Sequence, residues 1–256
     1  MMHKLDKERM QMGELEALIG QNVKNIKDNS YPGRGIILGM TPDRQNLVQV
    51  YWIMGRSANS RNRIFEAESN GFVKTKAFDE AKVEDPSLII YYPARHDGDC
   101  HIISNGDQTD TIYQAIQNGD SFEDAVNSRT FEPDAPNFTP RISGIMDVDN
   151  SPFVYQLAII KSLGNHPEYG AHHFFDYPNA IPGVGHCIHT YAGDGDPLPA
   201  FWGEPYPVKL DNDIRKVAAF YWDLLNPEHK IALMVKFIHC ATKKTELQIL
   251  NKLLGD

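Results

Sequence analysis

Apolar residues gather in short runs separated by turn-forming clusters, and these runs predict most of the elements. GIILGM (35–40) and LVQVYWIMG (47–55) flank Thr41-Pro42-Asp43, and two such runs joined by a turn predict a β-hairpin. LIIYYPA (88–94), after Asp85-Pro86, and HIISN (101–105) read as further strands. RISGIMDV (141–148), FVYQLAIIKS (153–162), HHFFDYP (172–178) and VGHCIHTYAG (184–193) read the same way. Helical spacing appears in TDTIYQAIQNG (109–119), near 122–129 where Ser121 and Asp124 fit a capping box, and in DNDIRKVAAFYWDLL (211–225). Asn226-Pro227 resembles an N-cap followed by an N1 proline, which predicts a last helix over PEHKIALMVKFIHC (227–240). Leu5, Met10, Leu15, Leu18 and Ile19 lie among charges, which predicts one or two short helices over 3–20 packed loosely on the body. Residues 132–140, with three prolines, predict no regular structure.

Strands in meander-like pairs with helices between and after them predict a mixed α+β protein of layered sheets covered by helices. No linker divides the 256 residues, a length that suffices for a sizeable core. The first 30 residues are expected to form a helical extension, and 31–256 a single domain. The charged N-terminus has no long apolar run, so neither a signal peptide nor a membrane span is expected there. Three scattered cysteines suit a reducing, cytoplasmic setting better than a disulfide framework.

Charge sharpens the picture. The formal net charge of −9 argues against a nucleic-acid partner. A small anion needs only a local positive pocket, and residues 31–65 carry five arginines (34, 44, 56, 61 and 63) against one acid, Asp43. Within GRSANSRNRIF (55–65), Arg56, Arg61 and Arg63 stand with Ser57 and Asn59 and no acid between them. Arginine grips phosphate through a rigid fork, so this stretch is a candidate clamp for a phosphate monoester.

Two further stretches carry candidate chemistry. In SNGDQTD (104–110), Asp107 and Asp110 read as helix-end acids, whereas the Asn105 amide can serve a ligand. In FEPDAPNFTPRISG (131–144), the prolines stiffen a loop bearing Glu132, Asp134, Asn137 and Arg141, a set suited to acid–base work on a polar ligand or to an ordinary surface ion pair. GVGHCIHTY (183–191) places Cys187 and His189 on one strand face and His186 on the other, without the companion spacing of a metal site, so no metal is expected. No nucleophile elbow is present.

YPGRGIILG, GRSANSRNR, SNGDQTDTI and NFTPRISG, in that order over roughly residues 31–145, resemble the archaeal-type inosine monophosphate (IMP) cyclohydrolase family. The segment GHCIHTYAGDGDPLPAFWGEP resembles longer bacterial members. The resemblance implies ring closure of 5-formamidoimidazole-4-carboxamide ribotide to IMP with loss of water, with no cofactor. It also implies a four-layer αββα sandwich like that of N-terminal-nucleophile hydrolases, without the nucleophile. Carried over by motif, substrate-binding residues are Arg34, Arg56, Ser57, Arg61 or Arg63, Asn137 and Arg141. Glu132 is implied for proton transfer, and Tyr91 with Asn105 for the developing oxyanion. Tyr92 stands where the family often has asparagine, and Thr130 lies where archaeal members sometimes carry a second acid. Two alternatives are a nucleotide-binding regulator without catalysis and an amide hydrolase acting on another ribotide. The aromatics of AFYWDLL and FWGEPYP are compatible with packing on a partner chain in a homo-oligomer or on the body of the same chain.

Overall fold

The hairpin forms where its pattern places it, β1 over Gly35–Met40 and β2 over Asn46–Met54. It is the centre of a six-stranded sheet in the computed structural model, which describes residues 2–83, 86, 89–149 and 152–255, with side chains described from residue 12 onward. The flanking strands are β10 (Val184–His189) and β11 (Tyr206–Lys209) on one side and β12 (Lys230–His239) and β13 (Thr245–Asn251) on the other. A second, seven-stranded sheet runs β3 (Arg63–Ala67), β4 (Val73–Ala77), β5 (Ala94–Asp97), β6 (Cys100–Ser104), β7 (Arg141–Asp147), β8 (Tyr155–Ser162) and β9 (Gly170–Tyr177) in chain order. All strand pairs in both sheets are antiparallel.

Alternate side chains of one strand serve different cores, as strand geometry requires. Ile36, Leu38, Tyr51 and Ile53 of the first sheet share a core with Ile103, Ile142, Leu157 and Ile159 of the second. Their neighbours Ile37, Val50 and Trp52 pack instead with Ile26 of helix α1 (Met2–Asp28) and with Val217, Ala218 and Tyr221 of helix α5 (Ile214–Leu224). On the second sheet, Ile102, Ile145 and Ile160 pack with Ile112 of α3 (Gln108–Asn118) and Phe122 and Val126 of α4 (Phe122–Asn127). The Ser121 hydroxyl caps α4 by accepting from the Asp124 amide at 3.0 Å, the capping-box geometry expected from the sequence.

Three elements differ from expectation. Residues 230–239 form strand β12 rather than a helix, and Asn226–Lys230 is a turn whose Asn226 carbonyl accepts from the Lys230 amide at 3.0 Å. KIALMVKFIH is buried along nearly its whole length, between β2 and β13, and a continuous apolar run does not distinguish a central strand from a buried helix. The strand expected over 88–94 begins instead at Ala94, Leu88 lying outside the described residues. Tyr91 is tied to β4 differently: its amide donates to the Thr75 hydroxyl at 2.8 Å and its carbonyl accepts from the Thr75 amide. The N-terminal segment is one helix, which turns Leu15, Ile19 and Ile26 inward while Met12 and Leu18 stay exposed; the Leu5 and Met10 side chains lie outside the described set.

Candidate active site

Four separate segments meet at one end of the first sheet and enclose a cleft of about 340 Å³. The Tyr31–Arg34 turn enters β1. Gly33 has φ +74°, and a Cβ there would stand 2.2 Å from the Thr190 hydroxyl, so the turn requires glycine. This close approach lets the Arg34 amide donate to Thr190 Oγ1 at 3.1 Å and the Thr190 amide donate to the Arg34 carbonyl at 2.9 Å. The second segment leaves β2 at Met54 and turns through Arg56 into the short helix α2 (Ala58–Arg61), whose N-cap Ser57 accepts from the Ser60 amide. The irregular loop 131–140 is the third. Its Glu132 amide donates to the Thr139 carbonyl at 3.0 Å, and Asn137 Oδ1 accepts from the Leu198 amide at 2.9 Å, which ties it to the fourth segment after β10.

Six of the ten residues carried over by motif line this cleft: Arg34, Arg56, Ser57, Arg63, Glu132 and Asn137; Asn59 and Asp134 line it as well. Between the two candidate closing arginines the geometry separates cleanly. Arg63 is only 1% exposed and lines the cleft, its Nε donating to the Ser60 carbonyl at 2.7 Å. Arg61 points elsewhere, donating to the Gly55 carbonyl at 3.0 Å and to His229 Nδ1 at 3.2 Å.

Asn105, Arg141 and Tyr91 do not line the cleft, and for the first two the hydrogen bonds give the reason. Asn105 Nδ2 donates to the Pro140 carbonyl at 2.9 Å, while Oδ1 accepts from Gln108 Nε2 at 2.8 Å and the Ile142 amide at 2.9 Å. This amide is a fully buried staple between the start of α3 and β7. Arg141 donates to the Thr130 carbonyl, Asp107 and Gln108, so it stands behind Glu132 as a fixed positive charge. A Cβ at Gly106 would meet Gln108 and Arg141 atoms at 2.6 and 2.7 Å and Glu132 Oε1 at 3.5 Å, so the glycine permits this close layering. The Tyr91 hydroxyl shares a 2.7 Å hydrogen bond with that of Tyr51 beneath the arginines.

The cleft grades from wet to dry. At the rim, Arg56 pairs with Asp194 at 2.7 Å, donates to the Gly195 carbonyl and lies over the Tyr31 ring. Deeper, Arg34 Nη2 and Glu132 Oε2 are 3.5 Å apart with side chains 12% and 3% exposed. Burial pushes the Glu132 pKa up, and the attraction of Arg34 and Arg141 offsets only part of that rise. Burial opposes the charge on Arg34, but Glu132 and the surrounding tyrosines hold its pKa well above the usual arginine value. The Arg63 pKa is lowered, chiefly by burial. Arg34 Nε and Arg63 Nη1 are both buried and make no hydrogen bond among the described residues. A buried donor without an acceptor is costly, and an anionic or carbonyl group of a ligand removes that cost.

Tyr31 and Tyr191 also line the cleft and were not singled out from the sequence. Tyr31 belongs to a turn and Tyr191 to a strand end, and the two rings stack 5.8 Å apart only through the Gly33–Thr190 contact. Among the described residues no group of three His, Cys, Asp or Glu side chains is placed to hold a metal. Cys187 faces the Tyr206 hydroxyl, His189 Nδ1 donates to the Tyr191 carbonyl at 2.8 Å, and His186 bonds Tyr155.

Two antiparallel sheets carry a guanidinium-lined cleft with a buried carboxyl, a lining whose charge is complementary to a small polar anion. Residues 31–244 match the family described as IMP cyclohydrolase-like protein, and the chain belongs to that family. The family implies a small-molecule nucleotide substrate. No curated protein matches the chain. No helix among the described residues is long and apolar enough to cross a membrane.

Proposed function

We propose that the protein closes 5-formamidoimidazole-4-carboxamide ribotide to IMP with loss of water, in the cytoplasm and without a cofactor. One observation carries this reading within the family: a buried carboxyl of raised pKa, Glu132, faces two buried guanidinium groups that still have unbonded N–H donors. The three cores, helices on sheet, sheet on sheet and sheet on helices, support an αββα layering like that of N-terminal-nucleophile hydrolases, with residues 31–256 as the working domain and α1 as an extension.

The substrate contains both reacting groups, so holding the formyl carbon against the carboxamide nitrogen supplies much of the acceleration. The exposed rim at Arg56 and Ser57 suits the phosphate, and the dry floor suits the reacting ring. The carboxamide nitrogen attacks the formyl carbon and gives up one proton, while the formyl oxygen takes one. Arg34 and Arg63 face the oxygen as charge grows on it, and Glu132 protonates it. Loss of the formamide N–H proton and departure of the protonated hydroxyl as water complete the ring.

The test is turnover of the formylated ribotide by purified protein, followed by absorbance of the product. Conversion without added metal or cofactor is expected. Binding of IMP by calorimetry with no turnover replaces this reading with that of a nucleotide-binding regulator, and turnover of a different ribotide amide replaces it with that of an amide hydrolase.

A further inference from the structure

Along the cleft a chain of hydrogen bonds joins Tyr191 to a second carboxylate. Tyr191 and Asp134 both line the cleft, and the fully buried Thr139 hydroxyl joins them. Thr139 Oγ1 contacts Asp134 Oδ2 in a short hydrogen bond and lies 2.5 Å from the Tyr191 hydroxyl. Asp134 Oδ1 accepts from the Thr139 amide at 2.7 Å. These bonds have one consistent polarity. A carboxylate oxygen accepts, so Thr139 donates its only hydroxyl proton to Asp134. Tyr191 must then donate to Thr139, and its free lone pairs turn toward the cleft. Tyr191 thus meets a ligand as a hydrogen-bond acceptor.

We infer that Tyr191, Thr139 and Asp134 form a proton relay that removes the carboxamide proton and later returns it to the leaving hydroxyl. The inference rests on the cyclohydrolase reading above. In the first stage the carboxamide N–H proton passes to the Tyr191 oxygen as the phenolic proton moves to Thr139 and the threonine proton to Asp134. The nitrogen lone pair forms the C–N bond, and the carbonyl electrons move to the formyl oxygen, which takes a proton from Glu132. In the second stage the relay runs backward, delivering the Asp134 proton to the new hydroxyl. The C–O bond breaks, water leaves, and Glu132 recovers its proton from the formamide nitrogen. Both carboxyl groups end as they began, and no outside reactant is needed. The two acids, two positions apart in the chain, thereby take separate parts: Glu132 beside Arg34, Asp134 through Thr139 and Tyr191.

A free tyrosine is a poor base, and burial pushes the Tyr191 pKa up to about 12, so Tyr191 conducts a proton and does not store one. Other titratable or charged groups facing this relay are Arg34, Glu132 and Tyr31, with Arg56 and Arg63 also lining the cleft and His189 against the Tyr191 carbonyl.

The test compares kcat and KM for wild-type protein, Tyr191→Phe, Asp134→Asn, Thr139→Val and Thr139→Ser, with thermal melts as a folding control. Tyr191→Phe, Asp134→Asn and Thr139→Val are expected to lower kcat by roughly 10²-fold with KM moved less than about threefold. Thr139→Ser keeps the hydroxyl and is expected to be at least about tenfold faster than Thr139→Val. Asparagine at 134 still accepts the Thr139 bond, so Asp134→Asn should fold, yet it cannot take up the relayed proton. Full wild-type kcat in Tyr191→Phe or in Asp134→Asn, or a Thr139→Ser variant no faster than Thr139→Val, overturns the relay and leaves the cyclohydrolase reading intact. A wild-type protein that does not convert the ribotide overturns both.

Discussion

Arg34 and Glu132, 98 positions apart in the chain, meet at 3.5 Å with both side chains almost out of water. That distance is at the outer edge of hydrogen bonding and leaves room for a third group between the two side chains. Glu132→Gln should cost roughly 10²-fold in kcat while changing IMP affinity less than about threefold. The Glu132 pKa is raised, so the acid form persists above the ordinary carboxylate range and is lost as pH rises through the shifted value. Activity that depends on that acid should show an alkaline limb in kcat that disappears in Glu132→Gln.

Arg63 and Arg61 should behave oppositely on substitution. Arg63→Met removes a charged donor facing the cleft, which should weaken binding of IMP about 10- to 100-fold. Arg61→Ala should change it less than about threefold, because that side chain is turned toward Gly55 and His229. Arg63 is buried and makes no ion pair with a carboxylate among the described residues, so the methionine variant should also melt about 2–4 °C higher, a gain of about 1 kcal/mol. Calorimetry and a thermal melt on the same samples check both statements, and tight binding by Arg63→Met would remove Arg63 from the site.

In the proposed reading Asp194 competes with the substrate phosphate for Arg56, its partner at the rim. The pair is solvent-exposed and contributes little to stability. Asp194→Ala should therefore leave the melting temperature within about 1 °C and tighten IMP binding about two- to fivefold, with no gain for inosine. An equal gain for inosine would place the phosphate elsewhere.

Far from the cleft, between the sheets, Lys236 is 1% exposed and its Nζ makes no hydrogen bond among the described residues. Burial pushes its pKa down to about 8. The unfolded chain therefore binds this proton more tightly, and stability rises with pH from about 8 toward the ordinary lysine range. Lys236→Met should stabilise the fold at pH 7 by on the order of 2 kcal/mol, and the gain should shrink as pH rises through that window. Denaturant melts at pH 7 and 9.5 test this; a pH-independent gain would mean that the effect is packing alone.

Most strands were legible because each alternates faces or ends in a turn signal, as in the β1–β2 hairpin and β6. β12 was misread as a helix because every one of its faces is covered, so its apolar run carries no period. β4, as VKTKA, and β13, as TELQILN, hide for the opposite reason: lysines alternate along β4, polar residues interrupt β13, and the apolar signal is weak in both. In the cleft, the arginines and Glu132 were visible as charges out of keeping with their surroundings. Tyr31 and Tyr191 were not, because a tyrosine beside a turn or at a strand end reads as packing until the contact at Gly33 brings the two together. Asn105 misled for a related reason: an amide in a turn suits a ligand as well as it suits the backbone, and here the backbone takes it.

The cleft's base is made where β10, β1 and β2 run side by side, whereas Glu132 and Asp134 come from a loop outside that ladder. In the proposed reading the two carboxyl groups are therefore carried by a part of the chain that can change while the strands beneath the cleft stay as they are. A descendant that rewrote residues 131–140 would keep the grip on its ligand and lose or exchange the reaction, turning a catalyst into a sensor by editing one loop.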